Sequence, residues 1–160
     1  ADVLCLTYGT CVGGAIVRGG AIYHGANWSA GEFGMMYMNG EYYENIASVT
    51  RLVEQAKAMD ASLCDGRAIT AQLNRSDVYA LVDGWAKQVA EGLASLIHIF
   101  NPACIIIGGG IMENKDVFNM VTLKVSELTA PGFDVNIHSA RFGNSAGLIG
   151  AGILAQKLMK

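Results

Sequence analysis

The apolar positions of this chain fall into short β-rich runs and longer segments of helical period. Val3 to Tyr8 is rich in strand formers, and Ala15 to Val17 and Ala21 to Tyr23 flank Arg18-Gly19-Gly20, so three antiparallel strands are predicted to open the chain. Gly25 to Gly34 is too rich in glycine and polar residues for a core element and is predicted as a loop. Ile46, Val49, Leu52, Val53 and Ala56 recur at helical spacing, which predicts a short amphipathic helix over Ile46 to Met59 with Asn45 or Glu44 near its start. After a polar stretch, Asp65 to Arg75, Ser76 is placed as the cap of a long helix. Its apolar face carries Val78, Leu81, Val82, Trp85, Val89, Leu93, Leu96 and Ile97. That helix is predicted to stop at Asn101-Pro102, because the residue before proline is pushed out of helical space.

The second half reads as a crossover unit. A strand at Ala103 to Ile107 runs into Gly108-Gly109-Gly110, a helix follows near Asp116 to Leu128, and a strand at Asp134 to Ser139 is expected to lie parallel to the first. The closing helix, from Ser145 to Met159, has apolar residues on nearly every face. It is therefore predicted to be buried on all sides, by more than a domain this small can supply. The class implied is α/β, a mixed sheet with flanking helices.

Composition narrows the partners. With 52% hydrophobic and 16% charged residues in 160, the chain holds enough apolar material for one domain with a core and is no disordered tail. The low charged fraction points to apolar surface that meets another protein domain. Mean hydropathy is +0.33, yet no apolar run reaches the roughly 18 residues of a membrane span and no signal peptide opens the chain, so the expected location is cytoplasmic, without membrane. A net charge of −3 with dispersed basic residues gives no footprint for nucleic acid. Cys5, Cys11, Cys64 and Cys104 lack C-x-x-C spacing and are expected to be reduced and buried. His24, His98 and His138 are isolated, and no metal or base role is assigned to them.

The candidate chemistry lies in two glycine clusters about a hundred residues apart, Gly9-Thr10-Cys11-Val12-Gly13-Gly14 and Gly108-Gly109-Gly110. Each follows a predicted strand, the place where α/β proteins receive phosphates and nucleosides. Neither is a standard fingerprint, since no Lys-Ser/Thr follows the glycines and no G-x-G-x-x-G opens a helix. A Gly-Gly pair also serves a tight hairpin. Two clusters on one small sheet nevertheless point to a nucleotide triphosphate.

The motifs as a set resemble the C-terminal domain of ROK proteins, a family of bacterial sugar kinases, transcriptional repressors and open reading frames. Gly9 to Gly14 matches the family's phosphate motif G-T-G-x-G-G. Gly25 to Gly34 matches its sugar loop G-A-x-G-x-A-G-E-x-G, Asn101 to Gly110 its adenosine-side segment, and Gly143 to Ala151 its terminal motif. The resemblance spans essentially the whole chain, in the right order. It implies one lobe of an actin/hexokinase-like (ribonuclease H-like) ATPase fold over residues 1–160, with the N-terminal lobe absent and the helix at 145–160 packing toward it. It also implies ATP and Mg2+ as cofactors of the intact parent. Gly9, Thr10 and Gly13 would approach the ATP phosphates, and Gly108, Gly109 and Gly110 would border the adenosine. Glu32 would accept hydrogen bonds from sugar hydroxyls, with Glu44 and Asn27 as further sugar contacts, although Glu44 also suits a helix N-terminus.

Two departures bear on function. Met35 stands where most members have a histidine, and the cysteine-rich zinc segment is replaced by Met36 to Glu41, so no zinc is expected and the usual glucose-type selectivity stays open. The general-base aspartate and the D-x-G-G-T motif belong to the family's N-terminal domain, so no catalytic residue is assigned here and the fragment alone is expected to be inactive. The leading reading is an ATP-dependent kinase of a hexose or glucoside. The alternatives are the sugar-sensing, dimerising domain of a ROK transcriptional regulator and a pure assembly domain. A homodimer is expected in either of the first two cases.

Overall fold

The computed structural model describes residues 1–159; Lys160, the last residue of the stretch 145–160 expected to close the fold, and the side chains of Asn144, Lys157 and Leu158 lie outside the described part. A five-stranded mixed sheet organises the chain. Its strands are β1 (Val3–Tyr8), β2 (Val12–Arg18), β3 (Ala21–Ile22), β6 (Cys104–Gly108) and β7 (Asn136–Ser139), in the order β3-β2-β1-β6-β7. The first three are antiparallel neighbours, whereas β6 runs parallel to β1 and β7 parallel to β6. The predicted crossover unit is therefore present.

Strand periodicity explains the register. Leu4, Leu6 and Tyr8 alternate into the core and meet Ile105 and Ile107 across the parallel pair, while Val12 and Ile16 enter from β2. Fully burying each such side chain contributes about 1.5–3 kcal/mol. A one-residue slip would turn the whole set outward, so the pairing is strongly specified.

Against that face lies α4 (Ser76–Phe100), whose Val82, Trp85, Val89, Leu93, Leu96 and Ile97 are buried. Polar atoms inside the core are paired. Trp85 Nε1 donates to the carbonyls of Ala47 and Ser48 at 3.1 and 3.2 Å. Tyr43 Oη donates to Val89 O at 2.7 Å and so accepts from Tyr8 Oη at 2.9 Å. Burial pushes both phenols up from their ordinary value, which keeps them neutral donors. Gly92 is small because any side chain there would overlap the Tyr43 ring.

Several local expectations are corrected. The helix predicted over Ile46 to Met59 is two helices, α1 (Tyr43–Ala47) and α2 (Val49–Met59). Ser48 is extended between them, and its Oγ accepts from Arg51 N at 3.3 Å. Serine offers the backbone that alternative to continuing a helix. The polar stretch contains α3 (Gly66–Thr70), capped by Asp65 Oδ1 on Ala68 N at 2.8 Å. Ser76 is the first residue of α4, not its cap; Arg75 holds the cap position and makes no side-chain cap bond. At the other end Asn101 is left-handed, with φ 42°, a conformation asparagine tolerates. The later elements shift by one or two residues, to β6, α5 (Lys115–Leu128, capped by Asn114) and β7. Cys11 and Cys64 are exposed and Cys5 and Cys104 half-buried, so the four thiols are free but not buried as expected.

The closing helix lies open in this chain. A short turn at Gly143–Ser145 leads into α6 (Ala146–Leu158), which is not enclosed: Leu148 is 80% exposed, Ile153 51% and Leu154 50%. Among the described residues no helix is long and apolar enough to cross a membrane.

One ion-pair network ties the loop after α2 to the start of α4. Arg75 reaches Asp60 at 2.7 Å and Asp77 at 2.8 Å, and the Ser62 amide and hydroxyl also donate to Asp60. Arg75 foremost, then Ser62, holds the Asp60 carboxyl down to about 2, from an ordinary 3.8. A carboxylate held low in the folded state stabilises above its unfolded value, and that contribution is lost as pH falls through about 2. Arg75→Ala is expected to lower the urea midpoint near neutrality and to flatten its decline between about pH 4 and pH 2. An unchanged acid-side slope would show that the pair carries nothing.

Candidate functional site

Because β1 and β6 are parallel neighbours, their C-terminal ends open side by side. Thr7 pairs with Gly108, so the turn Gly9 to Cys11 sits next to the turn at Gly109 and Gly110. Between them and helices α2 and α3 lies a cleft of about 660 Å3 lined by Gly9, Thr10, Thr50, Lys57, Arg67 and Gly110, among others. The N-terminus of α2 is pinned to the turn, since Gly9 O accepts from Val49 N at 2.9 Å and Thr50 N at 3.4 Å.

The glycines of the first cluster serve different ends. A Cβ on Gly9 would meet nothing within 4 Å, so nothing within the chain demands glycine there. Its amide is nevertheless committed, donating to Cys11 O at 3.0 Å, and Thr10 is exposed at the tip beside Cys11. Gly13 and Gly14 are not in the turn at all. They lie within β2, Gly13 opposite Thr7 and Gly14 opposite Leu6. A side chain on Gly14 would overlap the Phe33 ring, one on Gly34 the Val12 carbonyl, and Gly31 lies flat on Ala15. These three glycines let the loop from Gly25 to Gly34 rest backbone to backbone on β2.

The second cluster is divided in the same way. Gly108 ends β6, Gly109 is at φ 107° with its α-carbon against the Tyr8 carbonyl, and Gly110 alone of the three lines the cleft.

None of the three sugar-loop candidates lines this cleft. Glu32 is exposed immediately before a short helical turn, Phe33–Met35, and makes no capping bond with its side chain. Glu44 lies in the first turn of α1 with Oε2 3.1 Å from where a Gly34 Cβ would stand, so it packs against the segment that follows Glu32. Glu44 also lines a groove of about 420 Å3 with Thr10, Cys11, Glu41, Asn45 and Arg51. Thr10 therefore borders both cavities. The Glu44 charge, with some burial, pushes the Cys11 thiol up and keeps it protonated beside the groove. Asn27 is exposed on the loop, where its carbonyl accepts from Ser29 Oγ at 3.3 Å.

Where the zinc segment would stand, the chain forms a two-residue hairpin. β4 (Tyr37–Met38) and β5 (Glu41–Tyr42) join through Asn39 and Gly40, both left-handed, the Asn-Gly signature of a type I′ turn that a reading of the strands had passed over. Among the described residues no group of three or more His, Cys, Asp or Glu side chains could hold a metal ion. Lys57 and Arg67 were also missed. One ends α2 and the other opens α3, and no spacing in the sequence brings them to one cleft.

The sequence profile of the ROK family matches residues 1–158. A β-glucoside kinase of Listeria innocua is 32% identical over 94% of this chain and 55% of its own length, and one of Klebsiella pneumoniae is 33% identical over 94% and 54%. In structure, a ROK glucokinase from Streptomyces griseus, solved with glucose and AMPPNP, superposes with a TM-score of 0.87 at 25% identity, over 98% of this chain and 61% of that one. A ROK-family transcriptional regulator, at 21% identity and a TM-score of 0.81, shares the fold. The chain spans about half the length of the curated relatives it matches.

Proposed function

The chain belongs to the ROK family, and from that premise we propose that it forms one lobe of an ATP-dependent sugar kinase, binding nucleotide at the Gly9–Thr10 turn and sugar beside Glu32 and Glu44. The observation that carries this reading is Thr10, which borders both the glycine-lined cleft and the groove of Glu44. Phosphates seated on the turn would meet the exposed Thr10 and the Lys57 and Arg67 cations, while Gly110 leaves room for the nucleoside. A glutamate beside Thr10 then holds a sugar hydroxyl where a γ-phosphoryl group arrives. Such transfer depends on positioning and charge stabilisation more than on covalent chemistry.

Magnesium would travel on the ATP phosphates and fill most of its octahedron from phosphate oxygens and water, which places no demand for a dedicated protein cage. The base that deprotonates the sugar is assigned outside this chain, to a second lobe that also covers the exposed apolar side of α6.

The test is ADP release by the intact protein with ATP and a panel of hexoses, amino sugars and β-glucosides, with residues 1–160 alone as control. Turnover by the intact protein and none by the isolated chain is expected. Absence of turnover on every sugar, with sugar-dependent DNA binding instead, would replace the kinase reading by the regulator one.

A further inference from the structure

Toward the other end of the sheet from the glycine turns lies a further concavity, of about 580 Å3, which shares no residue with the cleft or the groove described above. Its place follows from the register, since Asn136 in its lining pairs with Cys104 at the start of β6, whereas Gly108 ends that strand beside the turns. One wall is α5, where Phe118, Thr122, Val125 and Thr129 recur at helical spacing and so share a face. The other wall is the chain from Ala130 into β7, and it is held in place. Ala130 N donates to His98 Nε2 at 3.0 Å, the Phe133 ring meets the His98 ring edge-on with centroids 5.0 Å apart, and Gly132 turns the chain at φ 92°.

The polar groups of this pocket are one-sided. Thr122 Oγ1 donates to Asn119 O at 3.1 Å, Ser126 Oγ to Leu123 O at 2.6 Å and Thr129 Oγ1 to Val125 O at 2.7 Å, so all three hydroxyl protons are spent on carbonyls of α5. What each can offer a ligand is a lone pair. Asp134 adds a carboxylate, also an acceptor, and among the described residues no Lys or Arg lines the pocket. Asn136 is left as the one lining side chain with protons to give. Phe118, Val125, Phe133 and Ile137 supply apolar surface, and aromatic rings also attract an ammonium group. A cavity of this size, mostly apolar with a few polar groups, suits a small molecule. A molecule that fits must bring the donors and the positive charge itself, on an apolar body. We propose that this pocket is a second small-molecule site that takes an organic ammonium ion, an aryl or alkyl body carrying a protonated amine, with Asp134 as its counter-charge. The assignment stands apart from the nucleotide and sugar readings.

Isothermal titration calorimetry on the intact protein with phenethylamine, phenethyl alcohol and phenylacetate tests it, because the three share a ring and differ in the charge at the end of a short chain. The amine is expected to bind about tenfold more tightly than the alcohol, and the carboxylate not at all. Asp134→Asn, at an exposed position, should bring the amine down to the affinity of the alcohol and leave the alcohol where it was. Ser126→Trp puts an indole into the pocket from α5 and should abolish binding of both, with an unchanged thermal midpoint as the control; Asp134→Asn decides the matter if that variant does not fold. No binding of the amine, equal binding of amine and alcohol, or amine binding untouched by Asp134→Asn would overturn the proposal. So would displacement of the amine by ATP, which would put it in the cleft of the glycine turns instead.

Discussion

Replacing Glu32 with alanine in the intact protein is expected to lower kcat/KM for the sugar by about a hundredfold or more, with the unfolding midpoint unchanged. A hydrogen bond to a charged group contributes about 1.5–3 kcal/mol, and a carboxylate can hold two vicinal hydroxyls at once. Losing both reaches or exceeds the 2.7 kcal/mol or so that a hundredfold requires. Stability should not follow, because Glu32 is exposed and its side chain makes no capping bond. The KM for ATP should also hold, since Glu32 does not line the cleft proposed for the nucleotide. Glu32→Gln keeps the shape and one acceptor and should fall between the two. Steady-state kinetics on the sugar identified by the panel decides the matter; an unaltered kcat/KM in Glu32→Ala removes the residue from the site.

Gly109→Ala is expected to cost about 2–6 kcal/mol of folding stability, from two sources that add. The backbone at φ 107°, ψ 146° lies in a region that is nearly exclusive to glycine, at about 1–3 kcal/mol for another residue. The new methyl group would also overlap the Tyr8 carbonyl on the neighbouring strand, and overpacking of that kind costs about 1–3 kcal/mol. Gly9→Ala is the informative contrast. Its Cβ meets open space and its φ is not left-handed, so the protein tolerates the methyl group and only a ligand would object. Urea denaturation and the KM for ATP, measured on both variants, separate the two roles. A normal midpoint for Gly109→Ala with a raised ATP KM would mean that Gly109 serves the ligand and not the fold.

That contrast shows how far the sequence could be read. Both glycine clusters were placed correctly at the ends of strands, because a β-rich run followed by glycine is a local pattern. The motif groups Gly13 with the turn residues, but β2 begins at Val12 and Gly13 lies opposite Thr7 in the ladder. The neighbouring Gly14 and the loop glycines Gly31 and Gly34 serve a contact between segments, which the motif records without revealing its partner. Ser48 shows the same limit on a smaller scale: the apolar spacing continues from Ile46 to Ala56, and only the geometry reveals that the helix stops and restarts at a serine that caps the second piece.

The sequence by itself determined the mixed α/β class, the parallel crossover, the long helix ending before Pro102, and membership in a family whose motifs are contiguous. Periods of 2 and 3.6, cap residues and short motifs are properties of neighbouring residues, and they survive in a one-dimensional reading. Tertiary structure decided what depends on segments far apart. It set the pairing of β1 with β6 that joins the two glycine turns, the convergence of Lys57 and Arg67 on one cleft, and the docking of the loop from Gly25 to Gly34 on β2. It also left apolar faces of α6 exposed within this chain. Apolar composition records that a surface seeks a partner, whereas only the packed chain shows whether its own elements can supply one.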